Sequence, residues 1–370
     1  MGSAALWSGT HHHHERTVDP ISANLDGTPI PTARNISPEA WRYAAVRSWH
    51  GFLRHRGIDS AAALSYFSAL ALFPGSLTVV SLFALLDNKE DAESAIISIV
   101  DEVAPNNIGN ALRDPIEQLL SIPNPGIALT IGLLLTLWTT SSYVTAFGRA
   151  TNNAYEILEG RRIWKFRGLM TILAAAIMVD FLLVFGILLG TPTVADAVAE
   201  TLGWSHGVVS AWNILKWPAL LVLAVFAVAA LYYFSPNVRH TRFRWVSWGA
   251  LFAIIVWAIA TTGFAIYVLN VGRYNEIYGW LGGAVVLLLR LYLTNFVLVF
   301  GSEVDAEIVR ARQLEAGIIA EETIQLPIRD TTRNLALARQ QTRDQTRGRQ
   351  LREHADQARA EATRDAERNG

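Results

Sequence analysis

Six long apolar stretches constrain the fold of this chain more than any other feature of its sequence. The first, residues 61–86, holds 26 uncharged residues between Asp59 and Asp87. A helix needs about 20 apolar residues to cross the hydrocarbon core of a bilayer, and helices in soluble proteins are usually shorter. The sequence therefore predicts an all-α polytopic membrane protein, a bundle of six transmembrane helices at 61–86, 127–147, 169–189, 215–234, 246–270 and 281–300.

The composition agrees with a chain embedded in lipid. Hydrophobic residues make up 51% of the 370 residues and charged residues only 17%, whereas about 25% of residues are charged in typical soluble domains. The sequence contains no cysteine, which excludes disulfides, thiolate metal sites and cysteine nucleophiles.

The distribution of lysine and arginine predicts the orientation of the spans. Residues 1–60, 148–167 and 235–245 carry six, five and three of them, whereas 87–126, 190–214 and 271–280 carry two, none and one. Segments rich in lysine and arginine stay on the cytoplasmic side of a membrane. We therefore expect both termini to be cytoplasmic.

Polar or amphipathic segments flank the six-span membrane domain, which we place at residues 58–318. We expect a disordered cytoplasmic N-terminus (1–36), an external helical segment (90–122) and a polar cytoplasmic tail (319–370). Residues 37–57 have the pattern of a basic amphipathic helix, which would lie on the inner leaflet or pack on the cytoplasmic side of the protein.

The first span contains a proline–glycine pair near its middle. Because proline removes a backbone donor and clashes with the preceding turn, Pro74 and Gly75 predict a kink or an unwound turn. Two interpretations are open, a simple packing kink and a functional hinge as in transporters with broken helices. Tyr66, Pro74 and Gly75 are the candidate hinge or cavity residues.

Two charged residues of opposite sign are predicted deep in the membrane, Asp180 in the third span and Arg290 in the sixth. Charges within spans are costly and usually functional. Their similar depth predicts an intramembrane ion pair, which would either lock helices together or lie beside a substrate or proton path.

Two further polar groups lie at the ends of the spans. Near the outer end of the fifth span we expect a polar cluster of Asn270, Tyr274, Asn275 and Tyr278, which alternatively forms a tight turn satisfied by its own side chains. Glu303 and Asp305 follow the last span at the inner exit. We expect them to pair with Arg149 or Arg161, or to form a plain cytosolic rim.

Several motifs resemble the YihY/BrkB family of bacterial inner-membrane proteins. They are "ALSYFSALALFPGSLTVV" from residue 63, "LWTTSS" from 137, "YYFSPNVRHTRFRWVSWGALFA" from 232, "YVLNVGRYNEIYGWLGGAVVLLLRLYL" from 267 and "GSEVDAE" from 301. The resemblance covers residues 38–310 and implies six spans with both ends inside, in the bacterial cytoplasmic (inner) membrane. The family pattern implies an aromatic residue where Arg290 stands. Members once carried a ribonuclease BN label that is regarded as a misassignment.

The motifs of common catalytic sites are absent from the sequence, which has no HExxH, GxSxG or Walker A pattern. We therefore expect no enzyme activity, no ribonuclease activity, no cofactor and no metal site. The expected partners are the lipid bilayer and a solute or lipid that the protein transports or flips, together with a second copy of the chain in a homo-oligomer. No nucleic-acid partner is expected, since the residues after the last span have no positive excess. The alternative function is a non-transporting membrane scaffold for envelope enzymes.

Overall fold

A computed structural model describes residues 36–85, 96, 116, 118–189, 206–239, 247–270 and 280–368 of the protein. These residues form α-helices joined by turns and loops. Within these residues, a single bridge between Val238 and Ile328 is the only β-type pairing. The helices are α1 (Pro38–Arg54), α2 (Gly57–Phe83), α3 (Pro125–Ala154), α4 (Ile163–Leu189), α5 (His206–Phe234), α6 (Trp248–Asn270), α7 (Trp280–Glu315) and α8 (Thr332–Arg368).

Six of these helices, α2 to α7, are long and apolar enough to cross a membrane. Many large apolar side chains point outward from them, as a lipid-facing surface requires, for example Trp138, Phe73 and Trp164. We call the end of the bundle where α2, α4 and α6 begin the inner end, because the charge pattern predicts it to be cytoplasmic.

The helices extend beyond the apolar runs of the sequence. Helix α3 continues to Ala154 and α7 continues to Glu315, so both project from the inner end of the bundle. At the outer end, α5 begins at His206 rather than at residue 215. Hydropathy locates the part of a helix that lies in lipid, whereas the extensions of α3 and α7 contain buried polar residues, such as Asn152 and Arg310, that pack against protein.

Helix α2 is continuous through Pro74 and Gly75, so the unwound turn considered for this position is not present. The hydroxyl of Ser76 donates to the carbonyl of Phe73 at 2.8 Å, and that of Thr78 donates to the carbonyl of Pro74 at 2.8 Å. Serine and threonine hydroxyls within helices commonly bond a carbonyl of the preceding turn in this way. The carbonyl that lacks its helical donor because of Pro74 is that of Leu70.

Helix α1 packs against the inner end of the bundle, mainly along α7. It begins with Pro38 after the N-cap Ser37, whose hydroxyl accepts a hydrogen bond of 3.1 Å from the amide of Ala40. Its buried face consists of Ala44, Ser48, Gly51 and Phe52. Large apolar residues on its other face, Val46, Trp49 and Leu53, are exposed, so contact of α1 with the inner leaflet stays a prediction.

The tail after α7 has two parts that differ in packing. Ala320 and Ile324 are buried against the bundle, and Val238 pairs with Ile328. The exposed helix α8 follows, with every described side chain from Leu335 to Ala366 facing outward. The predicted boundary at residue 319 therefore falls within a segment that docks onto the membrane domain, and the change to an exposed helix comes at Thr332.

The predicted external segment 90–122 and the N-terminal residues 1–35 lie mostly outside the described residues. Of the external segment, Ile96, Ile116 and Leu120 are buried. They pack with Val80 of α2 and Leu188 of α4. The described part of this segment therefore covers the outer ends of two spans.

Candidate functional site

Asp180 lies on the face of α4 that points into the bundle. Residues Leu173, Ala174 and Ile177 precede it on this face and belong to the main apolar core. Val184 and Leu188 follow it in a second cluster near the outer end. Asp180 is 7% exposed, and its Oδ1 atom is buried without a hydrogen-bond partner. A carboxyl group therefore occupies the junction between two apolar clusters.

Arg290 lines a small, partly open groove between α6 and α7. The α6 wall includes Trp257, Thr261 and Phe264, which share one face of that helix. On α7, Thr294 lies one turn inward from Arg290, and its Oγ1 accepts a hydrogen bond of 3.2 Å from Trp257 Nε1. This bond joins the two helices at the inner end of the groove.

The structure does not bring Asp180 and Arg290 together. Helix α4 packs mainly on α3 and α5, whereas α7 packs mainly on α1, α2 and α6. Within the described ranges, neither side chain forms an ion pair. Similar depth was the basis for predicting the pair, and depth does not specify which face of a helix a residue occupies. The two charges are therefore separate features of the membrane domain.

An amide in the sixth span organises a polar network that the sequence analysis missed. Asn295 of α7 is 1% exposed. Its Oδ1 accepts a hydrogen bond of 2.9 Å from Tyr143 Oη, and its Nδ2 lies 3.2 Å from Ser68 Oγ and 3.4 Å from Ser65 Oγ. The network links α2, α3 and α7 inside the bundle. A lone asparagine in an apolar run was the available signal, but only charged residues were considered there.

The candidate hinge residues do not share a cavity. Tyr66 is 62% exposed on the outer surface of α2, and the space beside Gly75 is open. One turn toward the outer end from Pro74, Thr78 Oγ1 lies 3.1 Å from Thr136 Oγ1 and joins α2 to α3. The groove at Arg290 lies between α6 and α7, and Pro74 of α2 does not line it.

The outer polar cluster remains a prediction. Asn270 is the last residue of α6. Tyr274, Asn275 and Tyr278 lie outside the described residues.

Glu303, one of the two predicted inner-exit residues, is buried beneath α1. It is 1% exposed, and its Oε1 lies 2.9 Å from His55 Nδ1. Its other carboxylate oxygen is buried without a hydrogen-bond partner, close to Gly51. A side chain on Gly51 would meet this oxygen at 2.9 Å. Glu303 therefore belongs to a packed interface and not to a cytosolic rim.

A network of buried charges continues from Glu303 along α7. Arg310 is fully buried, and its guanidinium lies 3.0 Å from Glu307 and 3.0 Å from Glu156. Arg47 of α1 approaches Glu307 at 3.1 Å. We call Arg47, His55, Glu156, Glu303, Glu307 and Arg310 the inner charged cluster. It joins α1, the end of α3 and the extension of α7.

Asp305, the second inner-exit residue, points to the opposite face of α7. Its Oδ2 accepts a hydrogen bond of 2.9 Å from Tyr155 Oη, and its Oδ1 accepts one of 3.2 Å from the amide of Gly249. Burial, with the nearby Asp305 carboxylate, raises the pKa of Tyr155 well above its usual range, so this phenol stays a donor.

Neither predicted partner binds Glu303 or Asp305 in the described residues, since Arg149 is exposed and Arg161 pairs elsewhere. Arg161 forms two hydrogen bonds of 2.7 Å with Glu159 and donates to the carbonyl of Ser235 at 2.8 Å. Eight residues, 155–162, separate α3 from α4 at this point, and counting charges along the sequence does not show which way each side chain turns.

Asn237, in the "SPN" motif after α5, anchors the docked tail. Its side chain donates to the carbonyl of Asp330 at 2.9 Å, and its backbone amide donates to Asn152 Oδ1 at 2.8 Å. Arg329 reaches the carbonyls of Val238 and Tyr233 at 2.6 and 2.8 Å. These bonds hold the tail against the ends of α3 and α5.

Among the described residues, no group of three or more histidine, aspartate or glutamate side chains is arranged to hold a metal ion. The inner charged cluster and Asp305 are engaged in the contacts given above, whereas Asp180 and Arg290 form no ion pair among the described residues.

Comparison with known proteins identifies the family. The model of the family described as virulence factor BrkB matches residues 48–323. The ribonuclease-like protein YfkH of Bacillus subtilis is 28% identical over 260 residues, which cover 70% of this chain and 93% of that protein. A UPF0761 membrane protein of Xanthomonas oryzae pv. oryzae is 27% identical over 269 residues, covering 71% of this chain and 60% of its own length.

A UPF0761 membrane protein of Xanthomonas campestris pv. campestris is 28% identical over 259 residues, covering 69% of this chain and 58% of its own length. The chain thus spans about three fifths of the UPF0761 proteins that it matches. No solved structure matches it. The family match, together with the six apolar helices, shows that this chain is an integral membrane protein of the virulence factor BrkB family.

Proposed function

We propose that this protein transports or flips a small or amphipathic solute across the membrane. The supporting observation is that Asp180 and Arg290, both within spans, lie apart from each other without an ion-pair partner among the described residues. An ion pair between them would have explained both charges as a lock between helices. Without that explanation, two charges that each cost about 2.5–3.5 kcal/mol to insert favour a role in handling solute.

The polar network inside the bundle supports the same function. Asn295, Tyr143 and Ser68 place hydrogen-bonding groups between α2, α3 and α7. Polar groups in a membrane interior mark substrate or proton paths when they are grouped between helices. In this protein they lie on the face of α7 toward α2 and α3, at the level of Thr294 at the inner end of the groove.

Metabolite and lipid profiling of a deletion strain tests the proposal. Loss of a transporter changes the level of its solute, and the wild-type protein should restore that level. Asp180→Asn and Arg290→Gln should fail to restore it, whereas Arg167→Gln, which changes an exposed arginine at the inner end of α4, should succeed. Restoration by all three variants to the wild-type level would contradict the proposal.

The alternative function, a scaffold for envelope enzymes, has support from α8. This helix has 37 residues and extends about 55 Å at 1.5 Å per residue. Its exposed surface offers a site for a protein partner. Removal of residues 332–370 separates the two functions, because a scaffold that works through α8 would lose its phenotype in this variant and a transporter would keep it.

The Bacillus subtilis relative is named a ribonuclease-like protein. Our proposal for the present chain does not include cleavage of RNA, because the segment after α7 carries arginine and acidic residues in balance instead of a positive excess. Incubation of the purified protein with labelled RNA checks this point directly.

A further inference from the structure

The groove at Arg290 contains a positive charge without a carboxylate on either of its walls. Helix α6 has no acidic residue, and α7 has none before Glu303. Glu303 is 13 residues along the helix from Arg290, a distance of about 20 Å at 1.5 Å per residue. It also contacts His55 at the inner end. The counter-charge for Arg290 therefore does not come from its own helix pair.

The helices packed on α6 and α7 do not provide a carboxylate at this level either. Helices α3 and α5 contain no acidic residue, and the acidic residues of α1 and α2, Glu39 and Asp59, lie at the inner end. Asp180 lies on α4, which is not among the main neighbours of either wall. Among the described residues, Arg290 also makes no hydrogen bond to a protein group.

The chemistry of the walls indicates what kind of molecule fits. A guanidinium presents a planar fork of donors that matches phosphate and carboxylate groups. Trp257, Phe264 and Leu293 provide an apolar surface beside this fork, and Thr261 and Thr294 add hydroxyl groups. Such a groove combines one strong anion-binding group with a surface for hydrocarbon.

We propose that this groove binds an amphipathic anion, with its phosphate or carboxylate group on Arg290 and its apolar part along Trp257 and Phe264. This inference rests on the proposed transport function, for which it names the class of solute. The anionic group neutralises the guanidinium, and the apolar part remains within the hydrocarbon region.

Thermal unfolding in a neutral detergent tests the site with defined probes. Titration with phosphatidylglycerol or dodecyl phosphate should raise the unfolding midpoint of the wild-type protein, because both probes carry a phosphate and a hydrocarbon chain. Phosphatidylcholine and inorganic phosphate should leave it unchanged, since the first has no net negative charge and the second has no apolar part. A shift with dodecyl phosphate alone indicates a soluble amphipathic anion, and a shift with both indicates a lipid.

Matched variants locate the binding. Arg290→Gln should weaken the apparent affinity for the effective probe by about tenfold or more, the range of a lost hydrogen bond to a charged group. Arg290→Lys should retain part of the affinity, and Arg167→Gln, at the inner end of α4, should bind as the wild type does. If Arg290→Gln does not fold, Phe264→Ala should weaken dodecyl phosphate binding through the lost apolar contact.

The site is refuted if Arg290→Gln binds as tightly as the wild type, if Arg167→Gln loses as much affinity as Arg290→Gln, or if neither anionic probe shifts the midpoint. If Arg290→Gln does not fold and Phe264→Ala is used in its place, unchanged binding of dodecyl phosphate by Phe264→Ala also refutes the site. If binding depends on Arg290 but the deletion strain has the same metabolite and lipid levels as the wild type, the result supports the binding site and contradicts only the proposed transport function.

Discussion

The Nδ1 atom of His55 lies 2.9 Å from Oε1 of Glu303, and this contact fastens α1 to the extension of α7 at the inner end of the bundle. Glu303 is 1% exposed. A carboxylate buried to this extent depends on its hydrogen-bond partner, because removal of that partner leaves a carboxylate oxygen buried and unsatisfied. The contact between His55 and Glu303 also links the segment before the first span to the segment after the last span.

His55→Ala should therefore lower the stability of the protein and release α1. We expect a loss of about 1–3 kcal/mol in the free energy of unfolding, the range for a buried group left without its hydrogen bond. Hydrogen exchange should increase over residues 38–54. In a double-mutant cycle with Glu303→Gln, the double variant should lose about 1 kcal/mol or more less stability than the sum of the two single losses. Strict additivity would show that the contact contributes nothing.

Asp180 and Arg290 should behave as independent residues. Since they share no contact, the stability changes of Asp180→Asn and Arg290→Gln should add within about 0.5 kcal/mol in the double variant. Thermal unfolding of the four proteins in one detergent provides the measurement. Recovery of stability in the double variant would mean that the two side chains meet in the membrane.

Gly301 should not tolerate a side chain. A Cβ atom at this position would lie 2.5 Å from Tyr232 Oη and 2.8 Å from Ala253 Cβ, at the close crossing of α6 and α7. Gly301→Ala should destabilise the protein by about 1–3 kcal/mol through overpacking. Gly263→Ala on α6 is the matched control, because open space surrounds that position, and it should not lower the unfolding midpoint.

Truncation should distinguish the two parts of the tail. Removal of residues 332–370 deletes only exposed helix and should leave the yield of folded, membrane-integrated protein near the wild-type level. Removal from residue 318 onward also deletes Ile324 and Arg329, which pack on or bond to the bundle, and should reduce that yield severely. Fluorescence-detected size exclusion of tagged proteins measures both. Equal yields would contradict the docking of 319–331.

The orientation predicted from lysine and arginine has its own test. Reporter fusions after Ile122 should be external, and fusions after Arg242 should be internal. A reversed result at either position would contradict the topology with both termini inside.

The sequence by itself determined the number of spans and the helical class, because the length of an apolar run must match the thickness of the hydrocarbon core. It also located α1, through the N-cap at Ser37 and the spacing of its apolar residues. These properties depend only on residues that are close together in the sequence, so each segment can be interpreted without knowledge of its neighbours in the fold.

Only the tertiary structure decided which polar residues meet. Asp180 and Arg290 have similar depth in the sequence pattern, yet they lie on helices with different main neighbours. Glu303 was placed at an open rim, but α1 covers it. Asn295 is visible in the sequence as a lone asparagine in an apolar run, but only the structure shows that its side chain joins three helices. Each of these outcomes depends on how a helix is rotated about its axis and which neighbour it packs against. In lipid, all faces of a span are apolar, so the periodicity of its sequence scarcely fixes that rotation.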